Sequence, residues 1–176
     1  MTEREIKLSF ASVDEARAAL EAAGAEAHAP RRLQDDRLYD TADQSMFARR
    51  SALRLRRDGD RAVITFKGPV TAGVTKSREE IETAVADYDA AALLLERLGY
   101  TSWWRYQKYR EEFRAPGVVA AIDDTPAGVF VEIEGGEDDI VALAARLGRG
   151  PSDFLLDSYR GIWIKARGDN PGDMIF

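Results

Sequence analysis

The sequence predicts an α+β fold, an antiparallel β-barrel of about eight strands with helices packed on its outside. Three observations lead there. Short segments alternate apolar and polar residues with the two-residue period of a strand, and turn signals separate them. Amphipathic helical stretches lie between them, able to cover the apolar faces. The polar faces carry Lys, Arg and Glu rather than Ser, Thr or Gln. A sheet with its charges in water explains the alternation but not that choice of residues. Closure explains both, because the lumen of such a barrel can hold one small, highly charged ligand.

The first strand is Glu3-Arg4-Glu5-Ile6-Lys7, with Glu3, Glu5 and Lys7 on one face and Ile6, Leu8 and Phe10 on the other. Residues 12–23 read as a helix, with Ser12 and Glu15 as a capping box and Gly24 after its end. Residues 25–35 read as a connection, 37–41 as a short strand and 43–49 as a helical turn. Leu53 to Arg57 puts Arg54 and Arg56 on one side. Asp58-Gly59-Asp60 turns the chain, and Val63 to Lys67 returns with Thr65 and Lys67 on one face. Residues 70–76 read as a loop. The next strand, 77–84, aligns Arg78, Glu80 and Glu82; residues 89–98 then form an amphipathic helix. The aromatic strand 103–114 aligns Lys108, Arg110 and Glu112, and turns at Pro116-Gly117 into a partner ending at Asp123-Asp124. Residues 129–134 align Glu132 and Glu134. Helices are expected at 138–147 and within 152–166, and an irregular, mobile tail from 168.

Composition narrows the chemistry. The chain has 176 residues, enough for one domain with a real core, and a net charge of -6, which argues against general binding to nucleic acid or anionic membranes. The absence of cysteine removes thiolate chemistry, and the lone His28 makes a histidine triad or His-rich metal site a poor expectation. Oxygen ligands remain, and these suit Mg2+ or Mn2+. The charged N-terminus lacks a signal-peptide core and no apolar run matches a membrane span, so a soluble cytoplasmic protein is expected.

Glu3-x-Glu5-x-Lys7 resembles the signature of the CYTH proteins, or triphosphate tunnel metalloenzymes, which include class IV adenylyl cyclases, thiamine triphosphatases and inorganic triphosphatases. The resemblance continues in order through Leu53-Arg54-Leu55-Arg56, Thr65-Phe66-Lys67-Gly68, Ser77-Arg78-Glu79-Glu80, Lys108-Tyr109-Arg110, Asp123, Phe130 to Glu134 and Ser158-Tyr159. It implies a single CYTH-like domain over residues 1–176, built as an eight-stranded antiparallel closed barrel around a triphosphate tunnel. By similarity, Glu3, Glu5, Glu132 and Glu134, assisted by Asp123, would hold the metal. Lys7, Arg54, Arg56, Lys67, Arg78, Lys108 and Arg110 would hold the triphosphate. Lys108, Glu5 and Glu134 are the catalytic expectations, and Glu80 and Glu82 match acidic positions whose role varies. Asp124 takes the place of Asp123 if the parity slips by one. The resemblance also admits a homodimer.

The expected partner is a small-molecule triphosphate, either inorganic tripolyphosphate, thiamine triphosphate or a nucleoside triphosphate. Hydrolysis, with water attacking the terminal phosphorus, needs nothing beyond these residues. A cyclase, in which the ribose 3'-hydroxyl attacks the α phosphorus, must also read adenine, and the sequence names no residues for that. A non-catalytic polyphosphate- or nucleotide-binding module is the third reading. A Walker-type loop is excluded, because Thr75 stands where that motif needs glycine before Lys76-Ser77. Trp103 and Trp104 are assigned to packing in the core or at an interface rather than to a stacking platform; Ser158 and Tyr159, which the resemblance puts near the tunnel mouth, are assigned to a capped helix rather than to ligand contact.

Overall fold

The computed structural model describes residues 2–71 and 73–176. Its eight strands are β1 (Thr2–Phe10), β2 (Glu26–Thr41), β3 (Ala52–Asp58), β4 (Arg61–Lys67), β5 (Lys76–Val85), β6 (Tyr100–Ala115), β7 (Val118–Thr125) and β8 (Gly128–Gly135). They close into a barrel in the order β1-β5-β4-β3-β2-β6-β7-β8, every neighbour antiparallel. The seam is β1. Residues Thr2 to Glu5 pair with β5, and Glu5 to Phe10 pair with β8.

Apolar residues on the outer face choose where the helices lie. Ile6, Leu8, Ile122, Val131 and Ile133 are fully or almost fully buried under α1 (Val13–Ala22) and α4 (Glu137–Arg146), with Leu20, Ile140 and Leu143 packed against them. Ser12 caps α1 by accepting the Glu15 N–H at 3.1 Å, as the capping box predicts. Gly117 has φ +76°, and a Cβ there would meet the Asp139 side chain at 2.2 Å, so the β6–β7 turn can approach α4 only as glycine. The short α2 (Ser45–Ala48) follows β2, and α3 (Tyr88–Arg97) covers Tyr39 and Leu55 with Leu95. No helix among the described residues is long and apolar enough to cross a membrane.

Three expectations need correction. Residues 25–35 are not a connection: β2 runs through them to residue 41, and its extra residues, opposite Glu112 and Arg110 of β6, are absorbed by bulges. The last helical segment divides into a 3-10 turn (Pro151–Asp153) and α5 (Tyr159–Arg167), with Leu155 paired to Lys7 between them. The loop expected at 70–76 gives up Lys76 to β5, and its residue 72 lies outside the described set.

The tail is irregular, as expected, but it is docked. Met174 N–H donates to the Arg105 carbonyl at 3.0 Å, Gln107 N–H to the Met174 carbonyl at 2.8 Å, and the Trp104 indole to the Gly172 carbonyl at 2.9 Å. β7 pairs with β6 only from Tyr109 onward, which leaves this edge of β6 open for the tail. Met174 is fully buried with Trp104, Tyr106, Phe130, Tyr159 and Trp163, a cluster through which α5 packs on the barrel. Met174→Ala is therefore expected to cost about 2–5 kcal/mol of stability in urea unfolding. A mobile tail would cost nothing.

Candidate active site: a charged lumen

Strand parity carries every residue of the expected metal, triphosphate and acidic sets to the barrel interior or its rim. The lumen is a cavity of about 530 Å³ lined by Glu3, Glu5, Lys7, Arg54, Arg56, Lys67, Arg78, Glu80, Glu82, Lys108, Arg110, Glu132 and Glu134. Asp123 is fully buried beside Arg110, whereas Asp124 turns outward and pairs with Arg31, which settles the parity of β7. Glu82 lies near the rim with much of its side chain exposed, bonded to Thr65 at 2.9 Å and Arg54 at 3.3 Å.

Inside, opposite charges neutralise one another pair by pair. Lys67 bonds Glu3 at 2.9 Å and Glu80 at 2.6 Å, and Arg78 bonds Glu3 at 3.2 Å. Glu5 accepts from Lys7 at 3.0 Å and from Lys76 at 2.5 Å. Glu132 faces Lys7 at 3.1 Å and Arg110 at 2.6 Å. Asp123 accepts from Lys108 at 2.8 Å, from Arg110 at 2.7 and 2.6 Å, and from the Tyr159 hydroxyl at 2.5 Å. Buried charge is tolerated on such terms, since an unpaired ion in this interior would cost several kcal/mol.

Burial opposes the charge on Glu5, but Lys7, Lys76 and Lys67 outweigh it and hold the carboxyl well below the usual range. Burial likewise opposes Glu132, and Lys7, Arg110 and Lys108 outweigh it in the same way. Lys108 is pushed down to about 8 by burial and then by Arg110. Glu134 is the exception among the acids. It meets solvent at the mouth and has no ion-pair partner among the described residues. Partial burial, then the charges of Glu3, Glu132, Glu80 and Glu5, push its carboxyl up to about 7. This end of the lumen is short of positive charge.

Sequence reasoning missed Lys76 and Asp36. Lys76 shares parity with Arg78 and Glu80, a signal hidden by its assignment to a loop. Asp36 is fully buried, 2.8 Å from Arg56 and 3.3 Å from Arg54, so it holds two of the expected phosphate ligands together. Of the Ser158-Tyr159 pair carried by the resemblance, Tyr159 reaches the lumen carboxylate of Asp123, while Ser158 caps α5 by accepting the Gly161 N–H at 3.2 Å.

Fold and lumen define a class: a closed antiparallel barrel whose interior is a tunnel of paired charges. The chain belongs to the CYTH domain family, whose model matches residues 1–147. It is 30% identical over 111 residues to a Methanocaldococcus jannaschii protein provisionally named an adenylate cyclase, a match covering 62% of this chain and 63% of that relative. The match thus spans less than two thirds of the relative's length. Among solved structures, a Vibrio parahaemolyticus protein provisionally named an adenylate cyclase superposes with TM-score 0.82 at 22% identity, covering 92% and 97% of the two chains. A Pyrococcus horikoshii protein superposes with TM-score 0.76 at 27% identity, over 94% and 99%. A Hippeastrum protein, provisionally named an adenylyl cyclase and described as having a dominant triphosphatase activity, gives TM-score 0.67 at 17% identity, over 93% and 95%.

Proposed function

We propose that the chain, acting as one domain over residues 1–176, hydrolyses a small-molecule triphosphate in this lumen with Mg2+ or Mn2+ as cofactor. The observation that supports this best is the placement of an acidic cluster, whose Glu134 has no ion-pair partner among the described residues, beside a set of converging cations in one cavity. The donor set of Glu3, Glu5, Glu132 and Glu134 is all oxygen, which fits a hard divalent cation. Among the described residues no three carboxylates yet converge on one point, because most are engaged by Lys and Arg. Bound there, the cation would supply Lewis-acid stabilisation of charge on the phosphate chain.

The chain's own residues supply the rest. Lys7, Arg54, Arg56, Lys67, Arg78 and Arg110 exchange carboxylate partners for phosphate oxygens, and Lys76 joins them. The exchange is inexpensive because each ion stays paired throughout. Lys108, buried and already held by Asp123, donates toward the attacking group. Asp123 has both oxygens occupied, so in this reading it aims Lys108 and Arg110 rather than holding a cation. Glu80 and Glu82 restrain Lys67 and Arg54 from the wall.

Incubation with Mg2+ or Mn2+ and either tripolyphosphate or ATP tests the reading. Orthophosphate release supports it. Cyclic AMP with pyrophosphate supports the second reading, a cyclase, which the names of the relatives favour. Release of neither orthophosphate nor cyclic AMP would sink both readings. Arg54→Ala is expected to raise KM for tripolyphosphate about 10-fold or more with little change in kcat, as loss of a charge-assisted hydrogen bond should. An unchanged KM would remove Arg54 from the contact set.

A further inference from the structure

One part of the cavity wall is not charged. Leu38, Trp104 and Tyr106 line the same 530 Å³ space as the phosphate-side cations, and that volume falls within the range of about 300–1,000 Å³ usual for organic ligands. A bare polyphosphate has no use for an aromatic wall. Trp104 and Tyr106 are stacked, 4.9 Å apart at 21°, and the Trp104 N–H is held by the Gly172 carbonyl, so this wall is fixed.

Arg160 stands beside it, in the first turn of α5. The other cations lining the cavity each bond a carboxylate, but Arg160 forms no ion pair or hydrogen bond among the described residues. Its guanidinium lies 4.8 Å from the ring centre of Trp103 and 5.3 Å from that of Trp104. Two consecutive residues of a regular strand would point to opposite faces. They meet one guanidinium here because Leu38 pairs with Trp104 while Tyr39 pairs with Ser102, leaving Trp103 as the extra residue of a bulge. Bulges beside sites commonly re-aim side chains in this way.

We infer that Arg160, backed by Trp103 and Trp104, is the specificity-determining contact for an aromatic head group on the triphosphate, a planar heterocycle bearing hydrogen-bond acceptors. A guanidinium stacks on flat rings and donates in its own plane; Trp103 and Trp104 hold the Arg160 group, while its donors meet no acceptor among the described residues. The inference rests on the triphosphate reading above and narrows its substrate class from inorganic to organic triphosphates.

The test compares ATP with tripolyphosphate, measuring total consumption of each whatever the product, for wild type, Arg160→Met and Trp103→Ala. Arg160→Met is expected to lower kcat/KM for ATP about 10-fold relative to tripolyphosphate, the size expected when a stacking contact to a base is lost, and Trp103→Ala, which removes only the backing of Arg160, about 3-fold. If Arg160 only anchors α5, both substrates fall together, or neither does, and the inference is overturned. If wild type consumes neither substrate, the hydrolase and cyclase readings fail. The same ratios are then taken from equilibrium binding of ATP and tripolyphosphate, and an unchanged ratio overturns the inference there too.

Discussion

Glu134→Gln is expected to lower metal-dependent turnover of tripolyphosphate by at least about 100-fold while leaving the barrel folded, because on the proposed reading it removes a metal ligand and breaks no ion pair. Every other acid in the proposed donor set is tied to a Lys or Arg, so its replacement would also strand a buried cation. Glu134 has no such partner among the described residues, and its neighbours on this face are carboxylates that push its own carboxyl up to about 7. The amide keeps the shape and relieves that repulsion. Mg2+ titration by calorimetry and turnover should both report the loss, while thermal unfolding in EDTA should show a variant at least as stable as wild type. Wild-type turnover in Glu134→Gln would place the metal elsewhere.

The second large effect is on stability. Asp123→Ala leaves the buried Lys108, Arg110 and the Tyr159 hydroxyl without their shared acceptor. Stranding buried charge in this way should cost about 3–5 kcal/mol in chemical unfolding. Asp123→Asn, which keeps an acceptor but not the charge, should fall between. Saturating tripolyphosphate with Mg2+ should recover more stability in Asp123→Ala than in wild type, since the ligand brings the anions that the mutation removed. Equal recovery in the two proteins would mean that Lys108 and Arg110 do not face the phosphate chain.

Much of this lumen is legible in the sequence because strand parity is local. Glu3, Glu5 and Lys7 share a face whatever lies beyond them, and the same holds for Arg54 with Arg56, and Glu132 with Glu134. The part of β2 before the expected strand at 37–41 was illegible for a physical reason. Pro30 and paired like residues such as Arg31-Arg32 and Asp35-Asp36 erase the alternation, and bulges shift what parity remains. Asp36 was lost with it. The choice between Asp123 and Asp124 depends on which of them lies opposite Arg110, a fact about register across two strands. The docked tail depends on an open stretch of β6 edge, which exists only because β7 is short. Lys76 could have been found by extending the parity of Arg78 and Glu80 by one step.

The seam at β1 has a consequence for how the molecule assembles. β1 is made well before its partners, which are Lys76 to Glu79 and residues 129 to 134. Contacts so distant in sequence make closure the slow, late event of folding. Glu3, Glu5 and Lys7 sit on that seam, so the acidic cluster exists only once the ring is shut. A chain that stalls before closure is an open sheet with its charges in water, and it has no tunnel to fill.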